Sequence, residues 1–114
     1  MADCIFCKVA NGEMGQLVYE DDLVAAFNDL KPQAPVHVLI VPKKHIEKLA
    51  DVENGEDANI VGHILVVANK IARDRGVAED GYRVVVNNGL GAGQSVWHLH
   101  FHLLGGRALG WPPG

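Results

Sequence analysis

Cysteine is scarce in this chain: 114 residues contain only Cys4 and Cys7. Two thiols so close in sequence exclude the disulfide framework that staples small secreted domains, and their spacing reads instead as metal or redox chemistry. Clustered positive charge is also missing. Apart from Lys43-Lys44 the basic residues are scattered, and the formal net charge is −4. That argues against a nucleic-acid groove. It leaves a small phosphorylated ligand compatible, because local donors rather than net charge hold such a group. No apolar run approaches the roughly 20 residues that cross a bilayer, so no membrane partner is expected. Met1-Ala2-Asp3-Cys4 carries an acid where a signal peptide would carry positive charge, and the expected location is cytoplasmic. Internal repeats and low-complexity linkers are absent as well.

What remains is a chain of one-domain length, 48% hydrophobic, long enough to bury roughly two-thirds of its unfolded surface. Asp3 can cap a short helix over about residues 4–9. Leu17–Glu20 and Leu23–Phe27 flank the turn signal Asp21-Asp22 and predict a hairpin. Pro32 and Pro35 stiffen a loop ahead of Val36–Pro42, a nearly continuously apolar, β-branched run that predicts a central strand with Pro42 at its end. From about Asp57 to Arg75, Ile60, His63, Ile64, Val67, Ala68 and Ile71 recur at helical spacing, with Gly76 as the stop. Further strands are predicted over Tyr82–Asn87 and about Trp97–Leu104. One long and one short helix on an antiparallel sheet of about five strands is an α+β arrangement.

The most informative stretch is His98-Leu99-His100-Phe101-His102. Strand alternation places the three imidazoles on one face and Leu99 and Phe101 on the other, with neighbouring histidines roughly 6–7 Å apart. Such a row points to proton transfer, nucleophilic attack or metal ligation. A pH-sensitive interface is the blander alternative. The flank weighs against it, because Asn87-Asn88-Gly89-Leu90-Gly91-Ala92-Gly93-Gln94-Ser95 is a Gly-rich polar turn of the kind that brings backbone N–H groups close to an anion.

The continued motif His98-Leu99-His100-Phe101-His102-Leu103-Leu104 resembles that of the histidine triad (HIT) family. Asp3-Cys4-Ile5-Phe6-Cys7-Lys8, Tyr19-Glu20-Asp21-Asp22, Pro32–His37, Ile40–Ile46, Gly93-Gln94-Ser95, Leu104-Gly105-Gly106-Arg107 and Trp111-Pro112-Pro113-Gly114 extend the resemblance over almost the whole chain. They are similar to the Hint branch in particular. One departure is visible: Glu13-Met14-Gly15-Gln16 is shorter than the branch's loop and lacks its Pro-Ala pair.

The resemblance implies a single HIT domain over 1–114, with 105–114 as a C-terminal tail. The implied fold is a five-stranded antiparallel sheet with two helices, which a homodimer joins into ten strands with Trp111 near the partner's active site. The implied activity is hydrolysis of purine nucleoside 5′-phosphoramidates and aminoacyl-adenylates through a covalent nucleotidyl-histidine. His100 would be the nucleophile, and its other ring nitrogen must then be held as N–H. His102, if protonated, would stabilise charge on the phosphate, and His98 completes the triad. His37 would orient His100. Ser95 would bond the phosphate or the departing amine, with Gly93 and Gln94 as further donors and Asn87 on ribose or phosphate. Asp29 with Leu30 would take the ribose hydroxyls, while Ile5, Phe6, Val9 and Phe27 wall the purine. Cys4-x-x-Cys7 has zinc-ligand spacing, and the resemblance supplies His45 and His98 to close a structural zinc site.

A competing role is a nucleotide-binding, partner-contacting module with incidental hydrolysis. The intact Ser95 and three histidines favour the enzyme. A metal-dependent hydrolase ligated by His98, His100 and His102 lacks the carboxylates such sites commonly recruit. His63, within the long helix, has no assigned catalytic role.

Overall fold

The structure, a computed structural model, describes residues 4–114. Its centre is the strand β3, Val36–Pro42, every residue of which is buried. A strand alternates its side chains between two faces, so a β-branched run buried throughout needs cover on both. The fold supplies it. The long helix α2 (Gly55–Asp74) lies on one face of the sheet and the short helix α1 (Ile5–Ala10) on the other.

The remaining strands are β1 (Tyr19–Glu20), β2 (Val24–Asn28), β4 (Tyr82–Val86) and β5 (Phe101–Gly105). All pairings are antiparallel, in the order β1-β2-β3-β5-β4. Register sorts the faces. Val24 and Ala26, Val36, Val38 and Ile40, and Phe101 and Leu103 join Ile60, Ile64, Val67, Ala68 and Ile71 of α2 in the larger core. Each such large side chain removed from water contributes about 1.5–3 kcal/mol. Ala25, Phe27, Leu39 and Val41 face α1 and pack with Ala10, Phe6, Val9 and Leu17. The same α1 face carries His37 of β3 and His102 of β5, because His37 pairs with Leu104 and Leu39 with His102.

The five-stranded α+β plan agrees with the sequence expectation, and the boundaries differ locally. The expected cap Asp3 lies outside the described residues. Cys4 occupies the cap position, its sulfur accepting from the Cys7 N–H at 3.4 Å. Helix α2 begins two residues before the expected start, because Asn54 caps it by accepting the Asp57 N–H at 2.8 Å. Gly76 follows its end at φ +75°, the left-handed conformation that closes helices. Strand β3 runs from Val36 to Pro42 as expected, with Pro42 as its last residue. The largest correction is to the histidine strand. The ladder begins only at Phe101, and Trp97–His100 are irregular. Gly105 ends β5 where an added Cβ would lie 2.9 Å from the Val77 side chain, so the packing of the loop after α2 requires glycine there.

Asp21 anchors the hairpin to α2. Its carboxylate accepts from the backbone N–H groups of Leu23 and Val24 at 2.8 and 2.9 Å and from the Tyr19 hydroxyl at 2.7 Å, and it pairs with His63 Nε2 at 2.5 Å. His63, to which the sequence assigned no catalytic role, is thus the partner of Asp21. Partial burial acts to raise the Asp21 carboxyl, but the bonds from His63, Tyr19, Leu23 and Val24 outweigh it and hold the group well below the usual carboxylate range. A folded-state value below the unfolded one stabilises the fold above the unfolded value of about 3.9, and that stabilisation disappears as pH falls. Asp21→Asn is therefore expected to lower stability at pH 7 by about 2 kcal/mol. The gap between variant and parent should close progressively on acidification below about pH 4, as read by thermal melts across pH. A gap independent of pH would show that Asp21 acts by packing alone.

Candidate active site

The triad sits where β5 leaves its ladder, and three polar features of the backbone determine what each ring does. His98 is fully buried. Its Nε2–H donates to the Pro42 carbonyl at 2.8 Å, so Nδ1 keeps its lone pair. That nitrogen lies 3.3 Å from Cys4 Sγ and 3.4 Å from Cys7 Sγ. The carbonyl of His98 in turn accepts the Nδ1–H of His100 at 2.7 Å. His100 Nε2 is therefore the unprotonated nitrogen, the tautomer required of a nucleophile.

His102 belongs to a second chain of bonds. The Gln33 backbone N–H donates to His37 Nδ1 at 3.0 Å. His37 must then carry its proton on Nε2, which lies 2.9 Å from His102 Nδ1 and 3.5 Å from Asp29 Oδ2. His102 accepts at Nδ1 and carries its own proton on Nε2. That N–H is buried and has no partner among the described residues. His37 thus orients His102, not His100 as expected, because the β3–β5 register sets His37 diagonal to His102. Burial pushes His102 down to about 4, with His100 and His37 acting in the same direction and Asp29 against them. It is therefore neutral at pH 7, so the protonated form on which its expected role was conditional is not present, and it offers an N–H donor instead. Burial likewise lowers His37, against Asp29.

A cavity of about 630 Å³ opens over these rings. Ile5, Phe6, Val9 and Phe27 form its apolar wall, with Asp29, Leu30, Ser95, His100 and His102 at the polar end. Phe6 stands edge-on to His100 at 5.1 Å and to Phe27 at 5.3 Å. Asp29 Oδ1 accepts the Lys31 N–H at 2.7 Å, and Leu30 is almost wholly exposed at the rim. Sequence reasoning missed Leu39, Asn28, Lys31, Val96 and the segment Met14-Gly15-Gln16, which also line the space. Leu39 was legible in principle, since strand alternation puts it on the face of His37.

Three expected contributors stand elsewhere. Asn87 follows β4, and neither it, Gly93 nor Gln94 lines the cavity. Gln94 is buried with every side-chain function used. Its Oε1 accepts the Gly89 N–H at 2.9 Å, and its Nε2 donates to the carbonyls of Glu47 and Val96 at 2.8 and 3.1 Å. It holds the Gly-rich loop in shape and presents no free donor. Gly93, at φ +92°, lets the chain turn toward Ser95.

Beside the triad, Cys4, Cys7, His45 and His98 bring four ligand atoms within 4.8 Å of one another. His45 Nδ1 lies 3.3 Å from Cys7 Sγ. The sulfur–nitrogen separations of 3.3–3.4 Å approach the edge of about 3.5 Å of a tetrahedron with zinc–ligand bonds of about 2.3 and 2.0 Å. Lys44, paired with the buried Asp57 at 2.7 Å, and the Leu99 N–H on the Ile46 carbonyl at 2.6 Å secure the segment carrying His45. Burial, with the adjoining Cys4 sulfur, pushes the Cys7 thiol up, and burial pushes His98 down to about 4. His98 is thus held in the neutral form that ligates, and a bound cation would favour the thiolate of Cys7 over the thiol. Asp29, His37 and His102 also converge, but the Gln33 N–H fixes the proton of His37 on the nitrogen that would have to ligate. The separation of 2.9 Å there is that of a hydrogen bond.

Comparison with known proteins follows the geometry. A HIT-like protein of the cyanobacterium Synechocystis sp. is 50% identical over 113 residues, covering 98% of this chain and 97% of the relative. The crystal structure of a HIT family hydrolase from Legionella pneumophila, also 50% identical, superposes with a TM-score of 0.93 over 98% of this chain and 100% of that one. A histidine triad nucleotide-binding protein from Candida albicans, 36% identical, gives 0.81 over 96% and 83%. The family model described as the HIT domain matches residues 12–109, and the chain with its three alternating imidazoles belongs to the HIT family.

Proposed function

We propose that this chain is a nucleotide hydrolase of the Hint type, cleaving purine nucleoside 5′-phosphoramidates and acyl-adenylates through a nucleotidyl group on His100. The observation that carries the reading is the pair of complementary nitrogens at the polar end of the cavity. His100 offers a lone pair held in place by the His98 carbonyl, and His102 offers a buried N–H with no partner among the described residues. An unsatisfied buried donor costs about 1–3 kcal/mol, and a phosphate oxygen would satisfy it. Attack of His100 Nε2 on phosphorus forms an N–P bond as the bond to the leaving amine or carboxylate breaks. The positive charge then on the ring is stabilised by its Nδ1–H···O=C bond to His98. His102 Nε2–H would bond the phosphoryl oxygen. Ser95, which lines the cavity, would hydrogen-bond the phosphate or the departing amine, which takes its proton from solvent. Water then displaces His100, splitting one hard step into two easier ones. Asp29 would accept from the ribose, and Ile5, Phe6, Val9 and Phe27 would sandwich the purine. His100→Ala is expected to abolish adenosine phosphoramidate turnover while preserving the melting temperature and nucleotide binding. Turnover above a few per cent of the parent would remove His100 as nucleophile.

The donor set of Cys4, Cys7, His45 and His98 fits zinc, which would act as a structural crosslink with no open position for substrate. His98 would ligate through Nδ1 because its Nε2–H is committed to Pro42. Metal analysis after chelator-free purification should find about one zinc per chain. Cys4→Ser combined with Cys7→Ser should lose it and melt at lower temperature, and unchanged stability in a metal-free protein would oppose the reading.

A homodimer belongs to the same proposal. Trp111 is 83% exposed, with the Arg83 guanidinium 5.9 Å from its ring centroid, and Arg83 also donates to the Gly110 carbonyl at 2.9 Å. An apolar ring held in water favours burial against a second copy. Light scattering at micromolar concentration should report a dimer. Deleting residues 109–114 should change preference among leaving groups more than it changes stability, and a monomer, or unaltered kinetics across leaving groups, would overturn this.

A further inference from the structure

The Cys-x-x-Cys pair admits redox chemistry as well as metal binding, and its position makes that consequential. Cys4 caps α1 and Cys7 is the third residue of that helix. Residues so spaced have Cα atoms about 5–6 Å apart, inside the 4.4–6.8 Å range that a disulfide spans. The two sulfurs already lie within 4.8 Å of one another and both reach the same nitrogen of His98. Neither is fully buried, so a small oxidant reaches them without unfolding. We propose that Cys4 and Cys7 form a redox-responsive clamp, in which oxidation by a hydroperoxide to the disulfide releases the bound cation and loosens the support of His100. The release of the cation rests on the zinc reading above.

The chemistry balances. One thiol reduces hydrogen peroxide to water and becomes a sulfenic acid. The second thiol condenses with it, forming the S–S bond and a second water, so the two sulfurs together supply the two electrons that peroxide takes. The disulfide has no thiolate to offer a cation, and a site reduced to His45 and His98 no longer closes a tetrahedron.

The consequence reaches the nucleophile by two routes. His98 is at once a ligand through Nδ1 and the residue whose carbonyl holds the His100 proton at 2.7 Å. Helix α1 carries both thiols and also Phe6, which stands edge-on to His100 and 6.2 Å from the ring of His98. Loss of the crosslink between α1, His45 and His98 therefore frees the ring tautomer and one cavity wall together. Cys4 and Cys7 act here as positioning residues.

The test treats the purified, metal-loaded protein with hydrogen peroxide and follows intact mass, metal release to a zinc-binding dye, and adenosine phosphoramidate turnover. The expected result is a loss of about 2 Da with release of the metal and a fall in turnover of about tenfold. Dithiothreitol with added zinc should reverse all three. Cys7→Ser, which cannot close the bridge, should instead gain oxygen mass. Gain of oxygen by the parent protein without loss of hydrogen would overturn the proposal, and so would a disulfide that leaves metal and turnover unchanged. Mass reads the disulfide independently of metal content and of activity. A protein without zinc at the outset that still loses about 2 Da therefore separates failure of the zinc reading from failure of the clamp.

Discussion

The hydrogen bond from His100 Nδ1 to the His98 carbonyl is the interaction on which the arrangement turns. It exists because the β5 ladder starts at Phe101. Had pairing continued through His98, that carbonyl would have been drawn into the sheet's own hydrogen bonding and the ring of His100 would have lost its acceptor. Irregular backbone at this point releases a peptide oxygen for a side chain. His98 is then fixed at its ring by Pro42 and by the cluster of sulfurs, so the oxygen that aims the ring of His100 is itself held from two directions.

A second polar thread, from the Gln33 amide through His37 to His102, has the same logic. A backbone donor sets one tautomer, and each neutral ring passes its orientation to the next. It ends in an N–H with no partner among the described residues. The two threads converge from opposite sides, one finishing in a lone pair and the other in a proton. Neither needs a charged imidazole, which suits a setting where burial disfavours one.

Much of this was legible in the residues. The run Val36–Val41 declared a strand covered on both faces, the 3.6-residue spacing of Ile60, Ile64, Val67 and Ile71 declared the helix, and the alternation of histidine with Leu99 and Phe101 separated site from core. Elements with a strong period are readable because burial repeats along them. Partners that depend on register or on loop shape left no such trace. The diagonal of His37 to His102 rather than His100 follows from a strand pairing that spacing does not encode. Gln94 looked like a ligand donor because it is polar in a Gly-rich turn, whereas its amide is consumed by three peptide groups from two segments. Met14-Gly15-Gln16 reaches the cavity through the path of a loop, which composition leaves open.

The central sheet also acts as a partition. Residues of β3 at even positions serve the packing of α2, and those at odd positions serve the opposite side, where His100 and His102 line the cavity. The packing under α2 and the walls of the cavity share no side chain. Substitutions at Met14, Gln16, Leu30 or Lys31 can reshape the cavity with the α2 face untouched, and temperature adaptation can proceed through α2 with the cavity unchanged. A single layer of peptide thus lets two evolutionary pressures work on one small protein without interfering.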